Sequence, residues 1–341
     1  MRMAKRVLVL TYHFPPSAAT GSYRLLGLAR DLPKLGWDVI VVAPPRMPYE
    51  PEDAGLGKEV PAETIVISVP YPKLGQFWLA RRLAPDGVWL PAALRACGQA
   101  IARYRPAALL TSSPPHTVQI GGFALKRMHG LPWIADFRDP WLMHDGGPLS
   151  RKLMTRWHRF WEKRVIGAAD RVIANAPNAG YTLRRVFPQH TSKIATVTNG
   201  FDPERFELPP ARVAGSAIRL LHSGELYWGR DPRPLLTAIG ELQRQCGHDA
   251  GRLEMHFQGQ VHLSDFDPDA YLRREGLEGV AFFEGQVPYR QALAEMVKAD
   301  KDAGHGSGAL DMPRRQRRRP GRRHKGLSAA VELHVGGTQE T

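Results

Sequence analysis

The chain has 341 residues, 43% of them hydrophobic, which is enough for two domains and a sizeable buried core. Its formal net charge of +14 favours anionic partners, namely phosphate-bearing ligands, an anionic membrane surface or nucleic acid. Two widely separated cysteines indicate neither a disulfide framework nor a metal site, and no apolar run approaches the roughly 20 residues of a membrane-spanning helix. We therefore expect a cytoplasmic protein.

Strands and helices alternate through the first 200 residues. A helix is predicted from Ser22, as its N-cap, to Gly36, with a kink expected at Pro33. The other helices are predicted at 92–104, 117–128, 149–168 and 179–187, and buried strands at 6–11, 38–43, 64–69, 107–111, 133–141, 171–174 and 194–198. This alternation implies a parallel sheet that is covered on both faces.

A second alternating unit follows a polar, proline-marked break that begins at residue 199. Its strands are predicted at 218–222, 253–257 and 280–283, and its helices at 234–245, 271–274 and 290–298. We therefore expect a first domain over 1–200 and a second, incomplete domain over 201–300. Both are α/β, with doubly wound parallel sheets.

The composition changes abruptly after residue 300. Residues 301–341 contain no Phe, Trp, Tyr or Ile, and residues 313–325 include eight Arg or Lys. The segment 301–308 is too polar and glycine-rich to be predicted as a strand. We expect 301–341 to be a disordered basic tail, which is either a nucleic-acid-binding segment or the product of a frameshift.

Two loops have the composition of phosphate sites. In each, a strand ends at a loop that contains a glycine, and a basic residue and a helix follow, as with Gly21 and Arg24 in the first unit and Gly224 and Arg230 in the second. Two such loops facing each other across a cleft would bind a diphosphate. The alternative is a plain turn, and neither loop has a full dinucleotide-binding or Walker pattern.

Other polar residues also follow predicted strands. His116 follows the fourth strand, and the stretch Trp133–Trp141 delivers Asp136, Arg138 and Asp139 to the next strand end. Ligands bind outside the carboxyl ends of parallel strands, so these side chains are candidates for a site. A structural histidine and a surface Arg-Asp pair are the alternatives. Asn199 and Gly200 form either a turn or part of a site at the domain junction.

Five motifs occur in order along the chain, and together they resemble the glycosyltransferase family 4 group. They are Phe14-Pro15-Pro16 with Gly21 and Arg24; Asp136-Phe137-Arg138-Asp139-Pro140-Trp141; Asn199-Gly200-Phe201-Asp202 with Phe206; Gly224 with Arg230-Asp231-Pro232; and Phe283-Glu284-Gly285-Gln286-Val287-Pro288. The resemblance covers residues 6–300. Its Arg-Asp-Pro-Trp variant is typical of a bacterial branch linked to cell-surface polysaccharides.

This resemblance implies the GT-B fold, in which two Rossmann-like domains flank an active site. Family members move a sugar from a nucleotide-sugar donor to a glycan or lipid-linked acceptor, usually with retention, and we expect no metal and no cofactor. The implied catalytic candidates are His116, Asp136, Arg138 and Asp139, of which the last three would shape the acceptor side. The implied donor-binding residues are Gly21, Arg24, Asn199, Gly200, Gly224 and Arg230.

The chain departs from the family pattern near its end. The family carries a glutamate pair that binds the donor, and no such pair occurs here in the family context. If residues from about 301 are a frameshift product, the transferase activity should be weak or absent. The rival functions are a sugar-nucleotide 2-epimerase on the same fold and a basic-tail nucleic-acid binder.

The predicted helix 149–168 is both basic and aromatic. Such helices can lie on anionic lipid, which would place the protein at the inner face of the cell membrane. The alternative is that Leu153, Trp157, Phe160 or Trp161, and Ile166 form the buried stripe of an ordinary surface helix.

Overall fold

The computed structural model describes residues 5–45, 53–71, 85–141, 149–200, 218–227, 229–246, 253–299 and 301–302. Within these ranges the chain forms two parallel β-sheets with helices packed on them. The predicted tail beyond residue 302 and the part of the predicted break from residue 201 onward lie outside the described residues. Among the described helices, none combines the length and the apolar composition that a membrane span requires.

The first sheet has seven parallel strands in the order β3-β2-β1-β4-β5-β6-β7. They are β1 (Lys5–Thr11), β2 (Trp37–Ala43), β3 (Ile65–Ser68), β4 (Ala108–Ser113), β5 (Trp133–Phe137), β6 (Arg171–Ala174) and β7 (Ile194–Thr196). The strand order reverses between β1 and β4, which pair directly. A reversal of this kind opens a crevice at the carboxyl ends of the strands, where ligands bind.

Six helices cover the two faces of this sheet within the described ranges. They are α1 (Thr20–Asp31), α2 (Ala54–Lys58), α3 (Pro85–Tyr104), α4 (Thr117–His129), α5 (Leu149–Ala168) and α6 (Pro177–Val186). One buried cluster packs α3, α4 and α5 onto one face, and it includes Trp89 and Trp133 at 1% and 0% exposure. A second cluster, with Leu25 of α1, fills the other face.

The start of α1 differs from the prediction. The helix begins at Thr20, with Ala19 as an N-cap that makes no side-chain hydrogen bond, so the prediction of Ser22 as N-cap was wrong. Ser22 is fully buried in the first turn, and its backbone N–H donates to Ala19 O at 2.8 Å. Pro33 begins a separate 3₁₀ turn, where its missing N–H costs nothing, and so it does not kink the helix.

The second sheet has four parallel strands in the order β10-β9-β8-β11. They are β8 (Ile218–Ser223), β9 (Leu253–Gln258), β10 (Ala281–Gly285) and β11 (Lys301–Asp302), with helices α7 (Arg233–Cys246), α8 (Pro268–Glu275) and α9 (Tyr289–Lys298). This order repeats β3-β2-β1-β4 of the first sheet, with β8 in the place of β1. The predicted class, α/β with two Rossmann-like parallel sheets, is confirmed.

One prediction about the second sheet was wrong. The segment from Lys301 was expected not to form a strand, but Lys301 and Asp302 pair in parallel with Leu220 and Leu221. The pairing uses backbone groups, so polar side chains do not prevent it. The prediction was wrong because it was based on the polar side chains of the segment. Residues 303–308 lie outside the described part of the chain.

Candidate active site

Asp136 is the centre of the site at the carboxyl edge of the first sheet. It is the penultimate residue of β5, and it is only 1% exposed. Its carboxylate accepts two hydrogen bonds from Arg24, from Nε at 3.1 Å and from Nη2 at 2.9 Å. It also accepts one from Ser112 Oγ at 2.8 Å. A bidentate, charge-assisted pair of this kind fixes the relative positions of α1 and β5.

Arg24 extends the same network to the end of β7. Its Nη1 donates to the carbonyl of Thr198 at 3.2 Å and to Oδ1 of Asn199 at 3.1 Å. Three of the predicted site residues, Arg24, Asp136 and Asn199, therefore meet in one cluster. Gly200 follows directly, and open space surrounds the position that a Cβ would occupy there. The guanidinium of Arg24 is committed to protein oxygens in this structure.

Arg138 lies against the backbone of Gly21. A Cβ at Gly21 would fall 1.2 Å from Nη1 of Arg138, so this position accepts only glycine without a shift. Arg138 is 7% exposed, and it donates to the carbonyls of Ser113 at 3.1 Å and Pro114 at 2.6 Å. Burial lowers the pKa of Arg138, while Asp136 and Asp139 raise it and Arg24 lowers it.

A buried hydrogen-bond chain lies beneath this cluster, and the sequence reading missed it. Trp133 Nε1 donates to Thr111 Oγ1 at 2.8 Å, and that hydroxyl donates to Gln119 Oε1 at 2.6 Å. Gln119 Nε2 then donates to the backbone carbonyl of Asp136 at 2.8 Å. The available signal was the run Thr111-Ser112-Ser113, because polar residues that end a buried strand need partners.

His116 belongs to an aromatic stack beside the cluster. Its ring is nearly parallel to that of Trp141, with centroids 5.0 Å apart and an angle of 11°. Trp141 Nε1 donates to His158 Nδ1 of α5 at 2.9 Å, which fixes the indole in place. His116 is half-buried. Asp139, by contrast, is exposed, and it acts on Arg138 through its charge.

Glycines end all three long strands of the second sheet. Gly224 follows β8, Gly259 follows β9 and Gly285 ends β10, each with positive φ. A Cβ at Gly259 would lie 2.1 Å from the carbonyl oxygen of Gly224. This close approach lets Gly224 N–H donate to Gln258 O at 2.7 Å. The carboxyl edge of the second sheet is therefore built of close-packed backbone.

The loop after β8 presents Arg230 just before α7. Its guanidinium lies over the ring of Tyr227 at 4.7 Å, and its N–H donates to Tyr227 O at 2.7 Å in a turn. The next arginine, Arg233, is paired with Asp231 at 2.7 Å and Asp265 at 3.0 Å. The predicted pair Gly224 and Arg230 thus shares one loop at the start of a helix, where anions are stabilised.

Contacts between the elements of the two sheets include a ring contact and an ion pair. Tyr23 of α1 and Tyr289 of α9 pack with ring centroids 4.4 Å apart. Arg290 Nη2 lies 3.7 Å from Oε1 of Glu59. Tyr23 is the neighbour of Arg24, so the first contact connects the Asp136 cluster to α9 of the second sheet. No group of metal-ligating side chains occurs among the residues that the structure describes.

Comparison with solved structures agrees with the two-sheet fold. Sucrose-phosphate synthase from Thermosynechococcus elongatus is similar with a TM-score of 0.61 and 14% identity, over 87% of this chain and 74% of that chain. HepE of Anabaena, solved with UDP and glucose, has a TM-score of 0.58 and 14% identity, over 87% and 73%. UGT2 of Phytolacca americana has a TM-score of 0.51 and 13% identity, over 84% and 72%.

The family follows from the sequence match. No curated protein matches the chain. The family model described as Glycosyltransferase Family 4 matches residues 21–205, which is more than half of the chain and includes the Asp136 cluster. The GT-B architecture expected from the motifs is the fold of the solved structures above. The chain therefore belongs to glycosyltransferase family 4, whose members are nucleotide-sugar-dependent glycosyltransferases.

Proposed function

We propose that this chain transfers a sugar from a nucleoside-diphosphate sugar to a glycan or lipid-linked acceptor, with retention of configuration. The observation that carries this proposal is the glycine-edged strand end of the second sheet. There Gly224 is locked against Gly259, and the loop that follows delivers Arg230 to the start of α7. This combination of close backbone, guanidinium and helix start suits a diphosphate.

Arg230 has the main electrostatic role in this proposal. When the bond between the sugar and the diphosphate breaks, negative charge develops on the leaving phosphate oxygen. A guanidinium fixed at that point stabilises the charge in the transition state, without reorganisation during the reaction. Tyr227 holds the guanidinium from below by a cation–π contact at 4.7 Å. Gly224 keeps the approach to the backbone free of a side chain.

The Asp136 cluster of the first sheet forms the acceptor side in this proposal. Asp136 and Arg138 are buried and hydrogen-bonded to other groups of the protein, so we assign them as positioning residues together with Arg24. His116 and Asp139 are the more accessible candidates for contact with the acceptor. Gly200, beside Asn199, has open space around it and leaves room for the donor diphosphate to approach from the first sheet, whereas the space at Gly21 is filled by the guanidinium of Arg138.

Uridine nucleotides are the first donors to test. HepE of Anabaena was solved with UDP and glucose, and UGT2 of Phytolacca americana with UDP-2fluoro-glucose and pterostilbene. We further propose a cell-surface glycan as the product. The motif Arg138-Asp139-Pro140-Trp141 supports this, because it resembles the variant typical of a bacterial branch of the family that is linked to cell-surface polysaccharides. We propose weak turnover, since the sequence after residue 302 carries no glutamate pair in the family context.

A nucleotide-binding panel tests the proposal. The full chain is titrated with UDP-, GDP- and ADP-sugars in a thermal-shift assay, and affinities are then measured by calorimetry. We expect one nucleotide class to raise the melting temperature, and we expect Arg230→Ala to weaken its affinity at least about tenfold. Arg273→Ala, on an exposed arginine of α8, is the matched control.

Two outcomes would contradict the proposal. One is that no nucleotide sugar binds to a chain whose fold is intact by circular dichroism. The other is that Arg230→Ala and Arg273→Ala bind the nucleotide equally well. Conversion of the nucleotide sugar to an isomer without any acceptor would instead favour a 2-epimerase.

A further inference from the structure

One side of α5 is exposed and carries both aromatic and basic side chains. Trp157 is 52% exposed and Phe160 is 47% exposed, which is unusual for rings of this size. Arg156, Lys163 and Arg164 are exposed on the same side of the helix, because positions three and four apart lie on one face. We call these five residues the α5 surface.

The aromatic rings of the α5 surface are held from inside the protein. Trp161 packs edge-on against Phe123 of α4, with centroids 5.8 Å apart. Trp157 and Phe160 in turn contact Trp161 edge-on, at 5.7 Å and 5.6 Å. Arg164 lies over the ring of Phe160 at 4.4 Å. The exposed rings therefore have fixed positions, with charged groups directly beside them.

The charge on this side of α5 has one sign. Glu162 is the only acidic residue in the sequence of the helix, Leu149–Ala168. It points inward and is 8% exposed. Burial raises its pKa to about 7, and the nearby Arg159 lowers it. The outward side therefore presents positive charge around two apolar rings.

We propose that the α5 surface docks on an anionic lipid bilayer. Trp157 and Phe160 enter the boundary between headgroups and acyl chains, and Arg156, Lys163 and Arg164 contact lipid phosphates. This inference rests on the proposed function, because it selects a lipid-linked acceptor over a soluble one. The proposed partner on the acceptor side of the site is therefore an anionic membrane.

Charge complementarity separates this occupant from others. A second copy would bring the same positive surface against the first, and like charges repel. Residues 313–325 of this chain are also basic, so they do not complement the surface either. An anionic bilayer supplies both negative headgroups and an apolar layer, which matches the two kinds of side chain present here.

The α5 surface is connected to the acceptor side of the site. His158, the residue after Trp157, accepts the hydrogen bond from Trp141 Nε1 at 2.9 Å. Trp141 stacks on His116 with ring centroids 5.0 Å apart. His158 and Trp141 therefore connect the helix that would bind the bilayer to His116, which we assign to the acceptor side, so this arrangement suits an acceptor carried by a lipid.

Vesicle co-flotation tests the proposal with the full chain. Vesicles of phosphatidylcholine alone are compared with vesicles that also contain about 30 mol % phosphatidylglycerol. We expect binding to the anionic vesicles only, weakening as salt is added. The variants W157S/F160S and R156E/K163E should each lower the partition coefficient at least about tenfold.

Matched variants control for general loss of charge or apolar area. R95E/R103E reverses two exposed charges on α3, and L35S removes an apolar side chain that is 74% exposed. Both should bind the anionic vesicles like the parent chain. Circular dichroism and melting temperature establish that each variant is folded.

Three results would overturn the proposal. They are equal binding to both kinds of vesicle, equal losses in the control variants, and binding of single-stranded RNA at the α5 surface without vesicle binding. UDP affinity is measured in solution on the same variants. If vesicle binding fails while UDP still binds, the docking surface is wrong and the proposed function stands. If neither UDP nor any of the UDP-, GDP- and ADP-sugars binds, the proposed function fails.

Discussion

The two carboxyl edges of the sheets are built in different ways. At the first edge, buried side chains saturate one another, with Asp136 holding Arg24 at 2.9 Å and Ser112 at 2.8 Å. At the second, glycines bring backbone against backbone, so that a Cβ at Gly259 would meet Gly224 O at 2.1 Å. The four strands of the second sheet repeat the order of β3-β2-β1-β4 in the first sheet, so the two edges differ in the residues at which the strands end.

This difference indicates a division of labour between the edges. A saturated side-chain network is rigid, and it is suited to fixing the geometry of a loop around an acceptor. The glycines that follow or end the strands at the second edge allow a large anionic group to approach the backbone and a helix start. Removing a hydrogen-bonding side chain should therefore destabilise the first edge most, and adding side-chain volume at a glycine should destabilise the second edge most.

The largest expected effect is the loss of Asp136. Asp136→Ala leaves the guanidinium of Arg24 and the hydroxyl of Ser112 without their partner in a buried site. We expect the free energy of unfolding to fall by about 3–5 kcal/mol, as measured by urea denaturation. The control is Asp31→Ala, which removes an exposed ion pair with Lys34 and should cost less than about 1 kcal/mol. Equal losses would mean that the network at the first edge is not rigid.

Gly259→Ala tests the second edge. The added methyl group would meet the Gly224 carbonyl, and the backbone at φ +144° is unfavourable for alanine. We expect a loss of about 2–3 kcal/mol in unfolding free energy and a weaker affinity for UDP. Gly240→Ala on α7 is the control, because its Cβ would have no neighbour closer than 3.6 Å. A Gly259→Ala variant with parental stability and UDP affinity would refute the close-packed edge.

Gly21→Ala probes a close approach of glycine to a side chain at the first edge. Its methyl group would displace the buried guanidinium of Arg138, which we expect to cost about 1–2 kcal/mol in stability. Gly27→Ala lies two turns further along α1 with open space around it, and it should stabilise the chain by up to about 1 kcal/mol. Opposite signs for the two variants in thermal unfolding support the packing of Arg138 on Gly21. A stabilising Gly21→Ala would contradict it.

The smallest expected effect concerns the contact between helix α1, on the first sheet, and helix α9, on the second. A double-mutant cycle on Tyr23 and Tyr289 should give a coupling energy of about 0.5–1.5 kcal/mol, because the rings are in contact at 4.4 Å. The same cycle on Glu59 and Arg290 should give a value close to zero, since Arg290 is 86% exposed and solvent screens the pair. Chemical denaturation measures both. A larger coupling energy for Glu59 and Arg290 than for Tyr23 and Tyr289 would contradict this ranking of the two contacts.

The sequence predicted the strands better than the site. Runs such as Val39–Ala43 are continuously apolar, so their burial could be read directly from hydrophobicity. The strand Lys301–Asp302 could not be read in that way, because its pairing depends on backbone groups alone. The N-cap was misplaced because serine is a common cap, whereas the chain enters α1 through Ala19.

The candidate site was predicted as a set of residues but not as a network. The order of the strands brings Arg24 to Asp136 across 112 positions of sequence, and no local pattern contains that pairing. The roles of Gln119 and His158 depend on which side of a helix faces the site, which only the packed structure defines. The sequence pattern indicated that Gly224 and Gly285 lie at strand ends. It did not indicate that position 259 requires glycine, because that requirement comes from the contact between Gly259 and Gly224 in two different loops.

Hydrogen–deuterium exchange with and without UDP tests the central claim most directly, that the diphosphate binds at the glycine edge of the second sheet. We predict that UDP slows exchange in peptides covering residues 223–233 and 258–262. We also predict that UMP, which lacks the second phosphate, does so much less. Slower exchange confined to peptides covering 111–116 and 133–139, with no change at 223–233, would contradict the claim.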